Sequence, residues 1–225
     1  MKTLISFRIL VTTMAVIAGI DVSSCASETA ASFDDSLINV GGSGPDVYGW
    51  EFSTLSDIQV TSLGLYDYYH GDGLTGSHPI GIWDVSHPSQ PLVSVIMPAG
   101  NIAPIIQDFR YVNISPVTLV AGNDYVIAAL YHTDDDTVDA LNAPNWLLTM
   151  GAGLQFDGYR SGSFPTTDLS FPSYFFPGQE GVFGPNFTYN VVPEPSVPSL
   201  CVLGAGVLYF SRKIRPFRSR KGVGS

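Results

Sequence analysis

The sequence predicts an all-β protein, an antiparallel β-sandwich of the jelly-roll or Ig-like kind, flanked by two segments with a different fate. Three observations carry this. From residue 47 onward, short runs rich in β-branched and aromatic residues recur every 10 to 14 residues, separated by Gly, Pro, Asn and Asp. No 12-residue window between 46 and 190 keeps a 3.6-residue period without Gly or Pro, so helices should be few. The two cysteines, Cys25 and Cys201, fall outside the patterned stretch, so the body must rely on a hydrophobic core and not on disulfides. A body of about 165 residues is large enough for that, since domains of this size bury roughly two thirds of their unfolded surface.

The elements follow in order. Residues 27–45 are small and polar, with Asp34, Asp35 and the run Gly41-Gly42-Ser43-Gly44-Pro45. They read as an exposed lead-in that contributes a strand near 37–40. The body spans 46–191. Tyr48, Trp50 and Phe52 alternate with Gly49, Glu51 and Ser53, giving one apolar and one wet face. In 58–68 the apolar phase slips from Ile58 and Val60 to Leu63 and Leu65, which predicts a bulge near Ser62. Further strands are expected at 80–85, 92–97, 109–114 and 117–120. The next, at 125–131, is apolar on both faces and suits a central strand covered on both sides. Short strands at 146–150 and 154–156 interrupt a proline-rich and aromatic region, and 182–191 closes the body.

Charge is unevenly placed. The whole chain of 225 residues carries a net charge of −10, yet between residues 27 and 192 eighteen acidic residues face only Arg110 and Arg160. Such a body lacks the cations that would displace counterions from phosphates, which excludes nucleic acid as a partner. It also repels anionic polymers unless divalent cations bridge them.

The ends carry the address. Residues 1–26 read as a secretory signal peptide, with Lys2 and Arg8 before an apolar run and Ser24-Cys25-Ala26 as a small-x-small site for signal peptidase. The rivals are a retained membrane anchor and a lipoprotein signal, because Val22-Ser23-Ser24-Cys25 resembles a lipobox that would lipidate Cys25. At the other end stand Pro193-Glu194-Pro195, an apolar stretch at about 197–210, and a basic tail at 212–221 that includes Arg212, Lys213 and Arg215. Two prolines end the folded body, a short transmembrane helix follows, and the basic cluster resists translocation. At about 1.5 Å per residue, 14 residues span about 21 Å, short of the roughly 30 Å hydrocarbon core. Gly204, Gly206 and the absence of a polar face from 200 to 210 still favour the membrane over a soluble helix.

This order, over residues 192–221, resembles the PEP-CTERM sorting signal of exopolysaccharide-producing bacteria. The resemblance implies an exosortase-type partner that recognises Pro193, Glu194 and Pro195. That enzyme would remove the helix and tail and pass the protein from transient inner-membrane anchoring to the cell envelope or extracellular matrix. Within 46–131, the words Gly49-Trp50-Glu51-Phe52, Gly81-Ile82-Trp83-Asp84, Phe109-Arg110-Tyr111 and Gly122-Asn123-Asp124-Tyr125 are similar to a domain-of-unknown-function family of secreted β-sandwich modules. That resemblance implies a fold and no catalytic residues.

Candidate sites in the body are few. Asp67 and Asp72 in one loop, and Asp134 and Asp136 in another, are oxygen donors of the kind that hold calcium, the one candidate cofactor; the competing reading is a solvated acidic loop. His70, His78, His87 and His132 have no histidine or cysteine partner at three or four residues, and His78 and His87 precede prolines as loop residues do. No Gly-x-Ser-x-Gly elbow or phosphate loop occurs, and no pair of glutamates is placed for glycosidase work, so no catalytic residues are expected. Most aromatics should fill the core, with Tyr68, Tyr69 and Tyr159 as loop candidates for stacking on sugar. The expected role is structural or adhesive in exopolysaccharide matrix, the alternative a carbohydrate-binding module, and a secreted hydrolase comes last.

Overall fold

The computed structural model describes residues 27–33, 39–40, 45–67, 73–132, 139–140, 148–178 and 183–193. These are all-β and antiparallel, and no helix occurs among them. In chain order the strands are β1 (Glu28–Thr29), β2 (Ala31–Phe33), β3 (Asn39–Val40), β4 (Asp46–Thr54), β5 (Ile58–Tyr66), β6 (His78–Asp84), β7 (Val93–Met97), β8 (Ile105–Ile106), β9 (Phe109–Leu119), β10 (Asp124–Tyr131), β11 (Asp139–Ala140), β12 (Leu148–Met150), β13 (Leu154–Ser161), β14 (Tyr174–Pro177) and β15 (Pro185–Val191). Two main sheets result, one in the order β1-β15-β5-β9-β8 and one in the order β14-β13-β4-β10-β6-β7; β3 pairs β11 and β2 pairs β12.

The alternation in β4 decides how the sheets meet. Trp50 and Phe52 are fully buried and point at the five-stranded sheet, where Phe187 of β15 lies 6.0 Å from Trp50 and 5.1 Å from Phe52, ring centroid to centroid. Ile58, Val60, Leu63 and Leu65 from one sheet and Ile80, Ile82, Ile127 and Ala129 from the other complete one core, as a β-sandwich requires. Burying a side chain of this size contributes roughly 1.5–3 kcal/mol.

β10 is central in its sheet and covered on both sides, as its two apolar faces predict. Ile127 and Ala129 face the main core; Val126, Ala128 and Leu130 form a second cluster with Val47 and Trp83, against which Leu169 and Phe171 pack. β4 and β10 approach so closely that a Cβ on Gly49 would stand 2.0 Å from the Ile127 carbonyl oxygen, so glycine is required there.

The phase slip in β5 is a bulge at Thr61. Against β15, Val60 pairs Tyr189 and Ser62 pairs Thr188, leaving Thr61 extra, which is how Val60 and Leu63 both reach the core. Against β9 the register jumps from Val117 to Asn113, so the two strands expected at 109–114 and 117–120 are one, β9, looped out around Pro116. Proline lacks the ladder donor and is tolerated at such a bulge.

Other expectations are corrected. The lead-in was expected to be exposed, but Ala30 and Ala31 are buried in the core, with β1 on β15 and β2 on β12. The strand expected at 154–156 runs on to Ser161, because its outer face is covered and not wet. β14 lies where no strand was expected, and His78 sits buried in β6, its Nδ1 3.1 Å from the Leu130 carbonyl. The closing strand starts at Pro185.

Candidate functional site

The strand directions bring Asp67 and His132, the described residues from which the candidate segments depart, to one end. β4 runs from Asp46 to Thr54, and residues 55–57 turn the chain into β5, which returns to end at Tyr66. β10 is antiparallel to β4, with Tyr131 opposite Asp46, and β6 begins beside it at His78. The connections 67–77 and 132–138, which hold both acidic clusters, therefore leave from the same end. Tyr68, Tyr69, Asp72, Asp134 and Asp136 lie outside the described residues, as do Trp146, segment 1–26, Glu194, Pro195, the 197–210 stretch, Arg212, Lys213 and Arg215.

Asp67 is described, and its role differs from the expected calcium donor. It is 1% exposed, and its Oδ2 accepts from Arg110 Nε at 2.8 Å and lies 2.7 Å from Nη2. Arg110 Nη1 donates to the Ala103 carbonyl at 2.7 Å. Burial makes each charge depend on the other, so this carboxylate serves as a counter-ion. Among the described residues no three His, Asp or Glu side chains converge as a metal site.

The body's other arginine is also enclosed. Arg160 Nε donates to Glu51 Oε2, both side chains 9% exposed, and the guanidinium carbon lies 5.0 Å from the Phe171 ring and 4.7 Å from the Phe175 ring. Burial pushes the Glu51 carboxyl up, and Arg160 holds it back in part. The body has no lysine, so its described surface presents neither lysine nor arginine.

At the loop end an aromatic row crosses the six-stranded sheet. Phe176 stacks on Tyr159 at 5.3 Å, Tyr159 on Tyr48 at 6.4 Å, and Tyr48 meets Tyr131 at 6.0 Å. Tyr159, expected in an exposed loop, is in β13 and sandwiched in this row; desolvation raises its phenol well above the ordinary value. Asp46 sits beside the row and accepts from the Val47 amide at 2.7 Å and from Tyr48. Its carboxyl is pushed up, mainly by burial. Among the described residues the exposed aromatics are Tyr174, Phe175 and Phe176 on β14, with Phe164 nearby in sequence. Sequence reasoning missed them because three consecutive aromatics between prolines show no period.

A cavity of about 360 Å³ opens where the five-stranded sheet curls. It is lined by Ser27, Glu28 and Thr29 from one edge, Ile106 and Gln107 from the other, and Thr149 to Gly151 beyond. Thr29 Oγ1 donates to Gln107 Oε1 at 3.1 Å, joining the two edges. Glu28 Oε2 accepts from Tyr189 Oη at 3.1 Å and the Ala152 amide at 3.2 Å, so its polar capacity is already engaged in the fold.

No protein-family model matches this chain, and no curated protein matches it.

Proposed function

We propose that this chain is an exported cell-envelope or extracellular-matrix protein, non-catalytic, whose β-sandwich body of the jelly-roll or Ig-like kind is structural or adhesive in exopolysaccharide. Signal peptidase removes residues 1–26. The 197–210 helix then anchors the precursor in the inner membrane with Arg212, Lys213 and Arg215 on the cytoplasmic side. An exosortase-type enzyme recognises Pro193-Glu194-Pro195 and cuts the helix and tail away.

One observation carries this reading: the order of Pro-Glu-Pro, apolar stretch and basic cluster begins directly after the last strand among the described residues. β15 ends at Val191, and the Val192 amide makes a final bond to the Asp57 carbonyl at 2.8 Å. Pro193, which has no N–H, follows and cannot extend the ladder, which supports a processing motif that starts there. A thiol-free body whose two arginines are both internal also suits an oxidising, polyanion-rich surrounding.

Mass spectrometry of the mature C-terminus decides it, in a host with an exosortase and in the same host without one. A terminus short of residue 212 only where the enzyme is present supports the reading. A terminus beyond Arg212 in both hosts rejects it.

The exposed aromatics of β14 favour a second reading, a carbohydrate-binding module that stacks sugar on Tyr174, with the exposed Phe164 as a separate contact. Alanine at both should weaken retention on a neutral polysaccharide. Unchanged retention rejects this reading.

A further inference from the structure

The longest run of the body without a charged residue is 85–107. Residues 85–107 contain no Asp, Glu, Lys or Arg, and His87 is their one titratable side chain. This uncharged stretch holds β7, an edge strand of the six-stranded sheet, and no strand among the described residues pairs with its outer side. Leu92 and Ile96 stand on one solvent-facing side of it, 45% and 65% exposed, while Val93, Val95 and Met97 turn toward the core. Ile102, Ile105 and Ile106, also exposed, follow in the same stretch.

Soluble proteins normally guard an open edge with lysine, proline, a bulge or an inward charge. β7 has none of these. Its ladder against β6 is continuous from Met97 to Val93, and all five residues keep their N–H groups. The other edges differ: β1 and β8 are two residues each, and β14 includes Pro177.

We propose that β7 is the docking surface for a second copy of this chain, joined by antiparallel pairing of β7 with its counterpart across a twofold axis. The charge distribution selects this occupant. Two copies each carrying eighteen acidic residues against two buried arginines repel, and the longest uncharged stretch, which also holds an open strand edge, is where they approach at the least of that cost. A twofold axis sets identical patches against each other, so Leu92 and Ile96 of each copy meet apolar surface while the open backbone groups pair. An anionic membrane surface is disfavoured by the same charge. A sugar would find aliphatic side chains here and no aromatic face.

The test uses the full chain in mild detergent, in a Cys25→Ser, Cys201→Ser background that leaves no thiol. Ser94→Cys then places a single thiol on β7, and Ala121→Cys places one on an exposed turn after β9 as the control. With a short bis-maleimide, Ser94→Cys should yield a covalent species of twice the 24.1 kDa chain, and Ala121→Cys should not. Adding Ile96→Lys to Ser94→Cys should lower the yield by about fivefold or more, as a lysine gatekeeper on an edge does. Because Ile96 is exposed, the fold should survive, and an unchanged melting temperature verifies this; Leu92→Lys is the second variant if it does not. Raising ionic strength should raise the yield by screening the repulsion. Equal cross-linking of Ser94→Cys and Ala121→Cys, an unchanged yield with both lysine variants, or cross-linking of Ser94→Cys to a foreign protein in place of its own copy overturns the proposal. The result is independent of C-terminal processing, so it stands or falls apart from the sorting reading.

Discussion

Arg110 directs two nitrogens, Nε and Nη2, at a single oxygen of Asp67, and the pair is enclosed at 3% and 1% exposure where β9 meets the end of β5. With Nη1 on the Ala103 carbonyl, the guanidinium also ties the 98–104 connection to the sheet. Removing either partner strands a desolvated charge. Asp67→Ala and Arg110→Ala should each therefore lower the free energy of unfolding by about 3–5 kcal/mol. Urea denaturation checks this, and losses below about 1 kcal/mol would match an exposed pair instead. An apolar replacement of both residues should cost less than either single change, since no unpaired charge remains.

This pair also marks where the sequence stops being informative. Alternation in Tyr48, Trp50 and Phe52 predicts a half-buried strand because period 2 is a local property, and the two apolar faces of β10 predict its central place for the same reason. Asp67 and Arg110 are 43 positions apart, and Glu51 and Arg160 are 109 apart, so nothing local tells an acidic loop residue from a buried counter-ion. The strand expected at 154–156 continues through Gly158 and Arg160 to Ser161. Its outer face is covered by Phe171 and Phe175, which turn a charged residue into an interior one. The proposed sorting signal, by contrast, rests on sequence alone, because its three parts are contiguous in the chain.

Gly49 tests the central packing. A Cβ there would lie 2.0 Å from the Ile127 carbonyl oxygen and 2.7 Å from the Ala128 Cα, both backbone atoms of the strand paired to it. Neither can step aside without breaking the β4–β10 ladder. Gly49→Ala should destabilise by about 3 kcal/mol or more, at the upper end for an overpacked site. A melting temperature within a degree of the parent would show that the two strands can separate.

The β8–β9 turn predicts a gain. Gln107 and Asp108 have φ of 49° and 65°, so both central positions of this two-residue turn are left-handed. That geometry favours Asn-Gly, and a long side chain such as glutamine adopts it at a cost. The bond from Thr29 to Gln107 is exposed and returns little. Gln107→Asn with Asp108→Gly should raise stability by about 1 kcal/mol. A loss of stability would instead mean that the Thr29–Gln107 bond holds the curled sheet together.

Acidity should stabilise this body. Asp46, Asp157 and Glu51 all have carboxyl pKa values raised in the folded state, with burial the leading cause; Asp124 adds repulsion at Asp157, whose Oδ2 is buried without a hydrogen-bond partner. Between the ordinary carboxylate range and these raised values the folded state binds more protons than the unfolded one, so stability falls as pH rises through that window. Asp84 works in the opposite sense, held low chiefly by Ser86, but it is close to solvent and contributes less. Melting temperature should therefore be higher near about pH 5 than near about pH 7.5, with the mutual repulsion of the acidic surface adding the same sign. Asp157→Asn should raise the melting temperature at neutral pH, have little effect in acid, and so flatten the profile. A melting temperature that drops steadily on acidification from neutrality, or an Asp157→Asn variant less stable at neutral pH, would show that these carboxylates are held by favourable partners and not penalised by burial.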